Sequence, residues 1–187
     1  MRKLKKILDL LPLFLLWAML SVLVWGFVFN QITDTDRARK LVLCVDAPVP
    51  GESEFALEIK KGTPEQIRLV RVRPFSYAMM DAKTLEEADL YLIAEDHLET
   101  YRDWLLPLTE RLRAAGQVRE ADGIPLGVLA RDGQTGKGVY PAWVQYPDGQ
   151  SYYLCLGARS LHISGLPGAV DNEAEEAALR LLHHIEP

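Results

Sequence analysis

The stretch LVLCVDAPVPGESEFALEIKKGTPEQIRLVRVRPF, residues 41–75, decides the fold that we predict for this chain of 187 residues. Residues 41–47 are an apolar run ending in Asp-Ala-Pro, which is typical of a strand buried in a parallel sheet. Charged residues and a terminal Gly62 favour a short helix over residues 53–62. Residues 67–75 alternate apolar side chains with arginines, as a half-covered strand does. Strand, helix and strand in this order predict a βαβ unit with a right-handed crossover.

The alternation of strands and helices continues in the middle of the chain. Residues 76–88 have the pattern of a helical connection, and residues 89–97 have that of another buried strand. Residues 98–116 are amphipathic and predict a helix that is broken at Pro107 and ends at Gly116. These segments extend the parallel sheet.

The last third of the chain adds a hairpin to this prediction. Residues 123–132 have a strand pattern. The β-rich runs 139–146 and 151–158 flank the Pro-Asp-Gly sequence at 147–149, which is a strong hairpin signal. Residues 171–187 predict a helix with acidic residues in its first turn. We therefore predict one mostly parallel-sheet α/β domain with a β-hairpin.

An apolar run precedes this domain. Residues 10–29, LLPLFLLWAMLSVLVWGFVF, are twenty residues without a charge, which is long enough for a helix to cross a bilayer. Four cations before it, Arg2, Lys3, Lys5 and Lys6, place the N-terminus in the cytoplasm. We predict a single-pass protein of the cell membrane. Its parts are a cytoplasmic basic tail (residues 1–9), a transmembrane helix (10–30), a juxtamembrane linker (31–40) and an extracytoplasmic α/β domain (41–187).

A cleaved signal peptide and a buried core helix are the competing interpretations of this run. Signal peptides usually have an apolar region of about 7–15 residues and small residues at the cleavage site. The apolar run here is longer. The sequence at its C-terminal end, GFVFNQITDTD (residues 26–36), has bulky residues where a cleavage site needs small ones. We therefore favour an uncleaved anchor.

The charge of the chain excludes one class of partner. The net charge is −5, and residues 1–32 carry +3, so the remainder carries −8. An acidic domain repels phosphate backbones, and we therefore expect no nucleic-acid partner.

The chain has two cysteines, Cys44 and Cys155, both within apolar runs. Free cysteine in such a place behaves as a small hydrophobe, which is the interpretation that we favour. A disulfide between them is the alternative, since the domain is expected outside the cytoplasm. Neither a CxxC pair nor a zinc-type spacing of cysteine and histidine occurs, so we predict no metal site.

The segment GIPLGVLARDGQTGKG, residues 123–138, has the glycine and lysine content of a phosphate loop. Such a loop needs a first glycine where Arg131 stands, and Ser or Thr where Gly138 stands. A strand instead of a helix is expected after it, so we predict no nucleotide and no other cofactor.

No catalytic constellation is evident among the nucleophiles and bases. The sequence SLHIS puts Ser160, His162 and Ser164 on one face of a strand, which we interpret as a surface polar stripe. The other histidines, His97, His183 and His184, have no matching acid and nucleophile in the sequence pattern. We therefore expect that the protein is not an enzyme.

Four segments resemble parts of the bacterial extracellular solute-binding proteins, which have the periplasmic binding protein type II fold. GIPLGV (residues 123–128) is similar to the strand by which those proteins leave their first lobe. YYLCLGARSLHI (152–163) and EAEEAALRLLHHI (173–185) look like the strand and helix of the return, and ADLYLIAED (88–96) looks like the family's third strand. Only a short segment lies between exit and return here, so the resemblance implies a chain reduced to a single lobe.

This resemblance implies a membrane-anchored, extracytoplasmic and non-enzymatic accessory or interaction partner of a membrane transport protein. The alternatives are a one-lobe sensor or receptor for a small solute and, third, a membrane-anchored enzyme of unrecognised type. Ligands of open α/β sheets bind at the carboxyl ends of the strands. The candidate ligand-binding residues there are Asp46, Phe75, Tyr77, Glu95 and Asp96. Each also has a structural interpretation, as a cap or a core residue. A concave pocket lined by Asp46, Tyr77 and Glu95 favours the receptor, whereas a flat apolar patch around Trp143 and Tyr146 favours the interaction partner.

Overall fold

The computed structural model describes residues 12–26, 36–75, 88–183 and 185–186. The chain forms two compact units, residues 1–35 and 36–187. In the first unit, residues 12–26 form helix α1, whose large apolar side chains are exposed. Within the described ranges, no helix has the length and apolarity needed to span a membrane. Residues 10, 11 and 27–30 of the predicted span lie outside the described part, so the anchor stays a prediction.

The second unit contains one sheet and the helices that pack on it. Its described strands are β1 (Lys40–Val45), β2 (Leu69–Pro74), β3 (Leu90–Ala94), β4 (Leu105–Leu106), β5 (Val118–Ala121), β6 (Ile124–Arg131), β7 (Gly138–Val139), β8 (Tyr152–Gly157) and β9 (Ile185–Glu186). Its described helices are α2 (Glu52–Gly62), α3 (Glu110–Ala114) and α4 (Glu173–His183). The α/β class and the main strands and helices predicted at 41–75 are therefore confirmed.

The sheet is mixed, with the strand order β2-β1-β3-β8-β6-β7-β9. Strand β1 pairs in parallel with β2 and β3, as the βαβ pattern predicts. Strand β8 lies between β3 and β6 and runs antiparallel to both. The remaining pairings are also antiparallel. The α/β sheet that the sequence predicts is therefore present, but its parallel pairing is confined, among the described strands, to β1, β2 and β3, because the buried run of β8 pairs antiparallel with β3 and β6.

Both faces of the sheet are buried. On one face, Phe55 and Ile59 of α2 and Leu181 of α4 pack with the alternating valines of β2 and with β1. On the other face, Tyr91 and Ile93 belong to a second core cluster. This two-sided burial explains why β3 and β8 are apolar at nearly every position.

The two cysteines lie on this second face. Cys44 of β1 and Cys155 of β8 each stand opposite Tyr91 in the register of β3. Two strand spacings therefore separate them, about 10 Å, which is too far for a disulfide. Both thiols are free and buried, which confirms the core interpretation.

The helix predicted over residues 98–116 is wrong for most of its length. The chain instead makes a 3₁₀ turn at Arg102–Trp104, the short strand β4 and then the short helix α3. Pro107 cannot continue the strand or a helix, and Thr109 starts α3 by accepting a bond from the N–H of Leu112. The helix predicted over residues 76–88 lies, except for Ala88, outside the described residues.

The hairpin predicted around residues 147–149 is also wrong. Strand β8 pairs with β3 and β6, whereas the run at 139–146 forms only the end of β7 and then a loop. A hairpin that the sequence analysis missed joins β5 to β6, with positive φ at Asp122 and Gly123. Asp-Gly is a strong signal for such a turn.

The segment SLHIS is not a strand with a polar outer face. It is irregular, and its Ser160 and His162 are buried. The Ser160 hydroxyl donates to Asp89 Oδ1 at 2.5 Å, and His162 Nδ1 lies 2.8 Å from Asp171 Oδ1. We name Asp89, Ser160, His162 and Asp171 the buried polar cluster. Burial raises the pKa of the Asp89 carboxyl.

Candidate functional site

The carboxyl ends of β1, β2 and β3 meet at one edge of the sheet because these strands are parallel. Asp46 follows β1, Phe75 follows β2, and Glu95 and Asp96 follow β3. Four of the five residues predicted from the sequence therefore lie at the same edge, which we name the strand-end site. The fifth, Tyr77, lies outside the described residues.

An aspartate–histidine pair forms the centre of this site. Asp46 Oδ2 lies 2.6 Å from Nδ1 of His97 and also accepts a bond from the N–H of Ala94 at 3.3 Å. The hydrogen bond that His97 makes to the Asp46 carboxylate raises the pKa of His97. The His97 side chain is 49% exposed whereas that of Asp46 is 13% exposed, so the histidine faces solvent.

Strand β8 contributes polar groups to the same edge. The Tyr152 hydroxyl donates to the carbonyl oxygen of Asp46 at 3.1 Å. Gln150 Nε2 donates to Asp96 Oδ1 at 2.7 Å, and the N–H of Glu95 donates to the carbonyl of Ser151 at 3.0 Å. Burial raises the pKa of Tyr152 to about 12, so the tyrosine remains a hydrogen-bond donor. These bonds fix the 3₁₀ turn after β3 against the start of β8.

Aromatic side chains lie beside the aspartate–histidine pair. Phe75 meets Tyr101 edge to face, with ring centroids 4.8 Å apart, and Tyr101 stacks on Trp104 at 5.2 Å. His97 in turn meets Tyr101 at 6.2 Å. We name Phe75, Tyr101 and Trp104 the aromatic shelf. All three are only partly buried, so an apolar surface adjoins the exposed histidine.

A cleft of about 580 Å³ opens on the other side of the same turn. Its acidic lining residues are Glu95, Asp96, Glu99, Glu120 and Asp148, and its basic one is Arg119. Arg119 forms an ion pair with Glu95 at 3.4 Å. The cleft is therefore concave, polar and net negative.

Sequence patterns identify the acids of this site but not their hydrogen-bond partners. His97 was noted only as a histidine without a catalytic context, and Tyr101, Trp104, Gln150 and Arg119 were not candidates. The sequence does contain a pattern that points to Tyr101 and Trp104. Positions 97, 101 and 104 follow a helical spacing that begins after the end of β3. No local signal connects Gln150 to Asp96.

The chemistry of the site depends on which groups lie next to His97 and on the polar and aromatic groups around it. Neither ring nitrogen of His97 is hydrogen-bonded to a serine, threonine or cysteine side chain in the described ranges, so the pair does not activate a nucleophile there. Across the described residues, no group of three or more His, Cys, Asp or Glu side chains is arranged to hold a metal ion. An exposed imidazole, amide and carboxylate groups and an aromatic face are instead groups that orient a polar ligand.

Comparison of the chain with protein-family models, with curated proteins and with solved structures gave no match.

Proposed function

We propose that this chain is a membrane-anchored, non-enzymatic module that recognises a small polar solute at the strand-end site. The observation that carries the proposal is the concave cleft of about 580 Å³ at the carboxyl ends of the strands. The aspartate–histidine pair and the aromatic shelf adjoin it through the turn that bears Glu95, Asp96 and His97. Convergent polar groups around a cleft at this place in an open α/β sheet are typical of ligand sites.

The charge of the cleft selects among solutes. Five carboxylates and one guanidinium line it, so its field repels anions and attracts cations. Glu99 and Asp148 make no hydrogen bond or ion pair through their side chains within the described residues, so they remain open to a ligand. The proposed solute is therefore a neutral or cationic polar molecule, such as an amine or an amino sugar.

The resemblance to solute-binding proteins adds a role beside a membrane transport protein. The position of β8 between β3 and β6, followed by α4, supports the strand and helix of return that the resemblance implies. An apolar docking patch at Trp143 and Tyr146 receives no support. Trp143 stacks on Phe55, and Tyr146 packs against Tyr152 and Arg131. The geometry therefore favours the solute receptor over the interaction partner without solute.

The proposed location rests on the sequence. The basic tail and the apolar run support a single-pass anchor with the N-terminus in the cytoplasm and residues 41–187 outside. The exposed apolar side chains of α1 agree with an environment other than water.

A thermal-shift screen of the full-length chain in mild detergent tests the proposal. The panel contains amines, amino sugars, neutral sugars and carboxylic acids. Binding to the folded state raises the melting temperature with dose, and we expect the rise with cationic or neutral members only.

A cleft variant and a matched control test whether any observed binding occurs in the cleft. Glu99→Gln combined with Asp148→Asn removes two exposed carboxylates of the cleft lining, and we expect it to weaken binding without lowering the melting temperature of the free protein. Glu65→Gln removes an exposed carboxylate outside the cleft and serves as the control. No response from any solute, or a response that the cleft variant retains, contradicts the proposal.

A further inference from the structure

A second groove, which shares no lining residue with the cleft of about 580 Å³, lies between helix α2 and strand β2. Its volume is about 400 Å³. It is lined by Glu52, Ser53, Ala56, Leu57 and Lys60 of the helix and by residues 68–73 of the strand. We name it the edge groove.

The strand side of the edge groove has an open backbone. β2 pairs with β1 on one side and ends the strand order, so no described strand pairs with its other side. An edge strand presents alternate N–H and C=O groups away from its neighbour, and an extended chain can pair with them. Among β2's six residues, only Pro74 at the end lacks a donor.

The side chains that line the edge groove include exposed apolar groups and several positive charges. Leu57 is 66% exposed, and Leu69 on the strand is partly exposed. The basic lining residues are Lys60, Arg68, Arg71 and Arg73, and the acidic one is Glu52, which pairs with Arg73 at 3.3 Å. The groove is therefore net positive although residues 33–187 carry −8.

Two of these cations are available to a partner. The side chains of Lys60 and Arg68 form no hydrogen bond or ion pair with another described residue. They lie near the same end of the groove, at the end of α2 and just before β2. A partner with carboxylates at that end complements them without competing for an existing ion pair.

We infer that the edge groove binds an extended acidic segment of a partner protein, which pairs with β2 as an additional strand. Backbone bonds to β2 hold such a segment, its carboxylates meet the basic lining, and its apolar side chains cover Leu57 and Leu69. A second copy of this chain fits less well, because pairing two β2 edges brings arginine rows together. This surface is distinct from the proposed solute site and does not depend on it.

Fluorescence anisotropy with the full-length chain tests this inference. The probe is a short fluorescein-labelled peptide of alternating glutamate and valine, and its lysine–valine counterpart is the first control. We expect only the acidic peptide to bind. Lys60→Glu combined with Arg68→Glu is expected to weaken binding about tenfold or more. Lys137→Glu likewise replaces a positive charge by a negative one, but on an exposed turn next to β7, and we expect it to leave peptide binding unchanged.

A second peptide separates strand pairing from simple charge attraction. This peptide is methylated at alternate backbone nitrogens, so it keeps every side chain but lacks the N–H groups that would donate to the carbonyl oxygens of β2. We therefore expect it not to bind. Absence of binding by the acidic peptide, equal binding of the methylated peptide or full binding by the double variant overturns the inference. A chain that ignores the peptide and binds vesicles of anionic phospholipid through Lys60 and Arg68 overturns it as well.

Discussion

Two aspartate–histidine pairs lie at opposite ends of the parallel strands and differ in their surroundings. Asp171 and His162 lie near the start of β1, where His162 is fully buried. Asp46 and His97 lie at its other end, where half of the His97 side chain is exposed. The same two residue types therefore serve two purposes, and burial distinguishes them.

The buried pair is complete within the fold. His162 Nε2 faces the carbonyl of Lys40 at 3.1 Å, and the N–H of His162 donates to Ser160 Oγ at 3.0 Å. Both ring nitrogens and the backbone N–H of His162 have partners inside the protein, so this imidazole has no group left to bind a ligand. In the exposed pair, Nε2 of His97 has no hydrogen-bond partner among the described residues, and the aromatic shelf lies beside the imidazole. A histidine with an acid partner indicates a functional site only when one of its faces remains open.

We expect the largest loss of stability from a substitution that breaks the buried pair. His162→Ala removes a fully buried side chain, which takes the imidazole partner from the Lys40 carbonyl and leaves Asp171 Oδ1 with only the N–H of Glu173. We expect a loss of about 3 kcal/mol in the free energy of unfolding. His97→Ala at the exposed pair is expected to cost less than about 1 kcal/mol, because solvent replaces the lost bond. Chemical denaturation of the two variants measures both values, and equal losses contradict the distinction.

Two glycines allow the buried and the exposed region to be compared by the space around their backbones. A Cβ on Gly157, near the buried polar cluster, would stand 1.9 Å from the carbonyl oxygen of Ala88. The backbone must move to admit it, and we expect Gly157→Ala to cost about 2–3 kcal/mol.

Gly149 in the cleft lining is the matched position. A Cβ there meets nothing within 4 Å, and only its φ of +71° opposes a side chain. Gly149→Ala is expected to cost about 1 kcal/mol. Thermal unfolding ranks the two variants, and a greater loss at Gly149 would show that the cleft is packed rather than open.

The sequence was sufficient to predict one half of the strand-end site. The apolar runs of β1 and β3 and the alternation of β2 identify parallel strands, and parallel strands bring Asp46, Phe75 and Glu95 to one edge. This inference needs only local periodicity and the rule that connections are right-handed.

The other half depends on contacts between distant parts of the chain. Gln150 meets Asp96 because β8 inserts between β3 and β6, which no local pattern predicts. His97 reaches Asp46 because the chain leaves β3 in a 3₁₀ turn at Glu95–His97, where the sequence pattern predicts the end of a strand. Farther along the chain, tertiary pairing of β4 with β8 overrides the helical propensity of residues 98–116.

The smallest expected effect concerns the charge of the exposed pair. The Asp46 carboxylate raises the pKa of His97 above its ordinary value of about 6.5. A raised pKa in the folded state means that the pair stabilises the protein below about pH 6.5 and loses this contribution as the pH rises through the folded-state pKa. Because His97 is half exposed, we expect the contribution to stay below about 1 kcal/mol.

Two measurements on Asp46→Asn check this expectation. In an NMR titration of the imidazole protons, the pKa of His97 should fall from its raised value when the carboxylate is removed. The difference in melting temperature between the unmodified chain and the variant should be larger at acidic than at alkaline pH. Glu65→Gln removes a carboxylate that has no contact with His97, so it should change neither quantity. A titration of His97 that is the same with and without Asp46 would mean that the bond at 2.6 Å does not persist in solution. In that case the open pair does not hold the imidazole in place for a ligand.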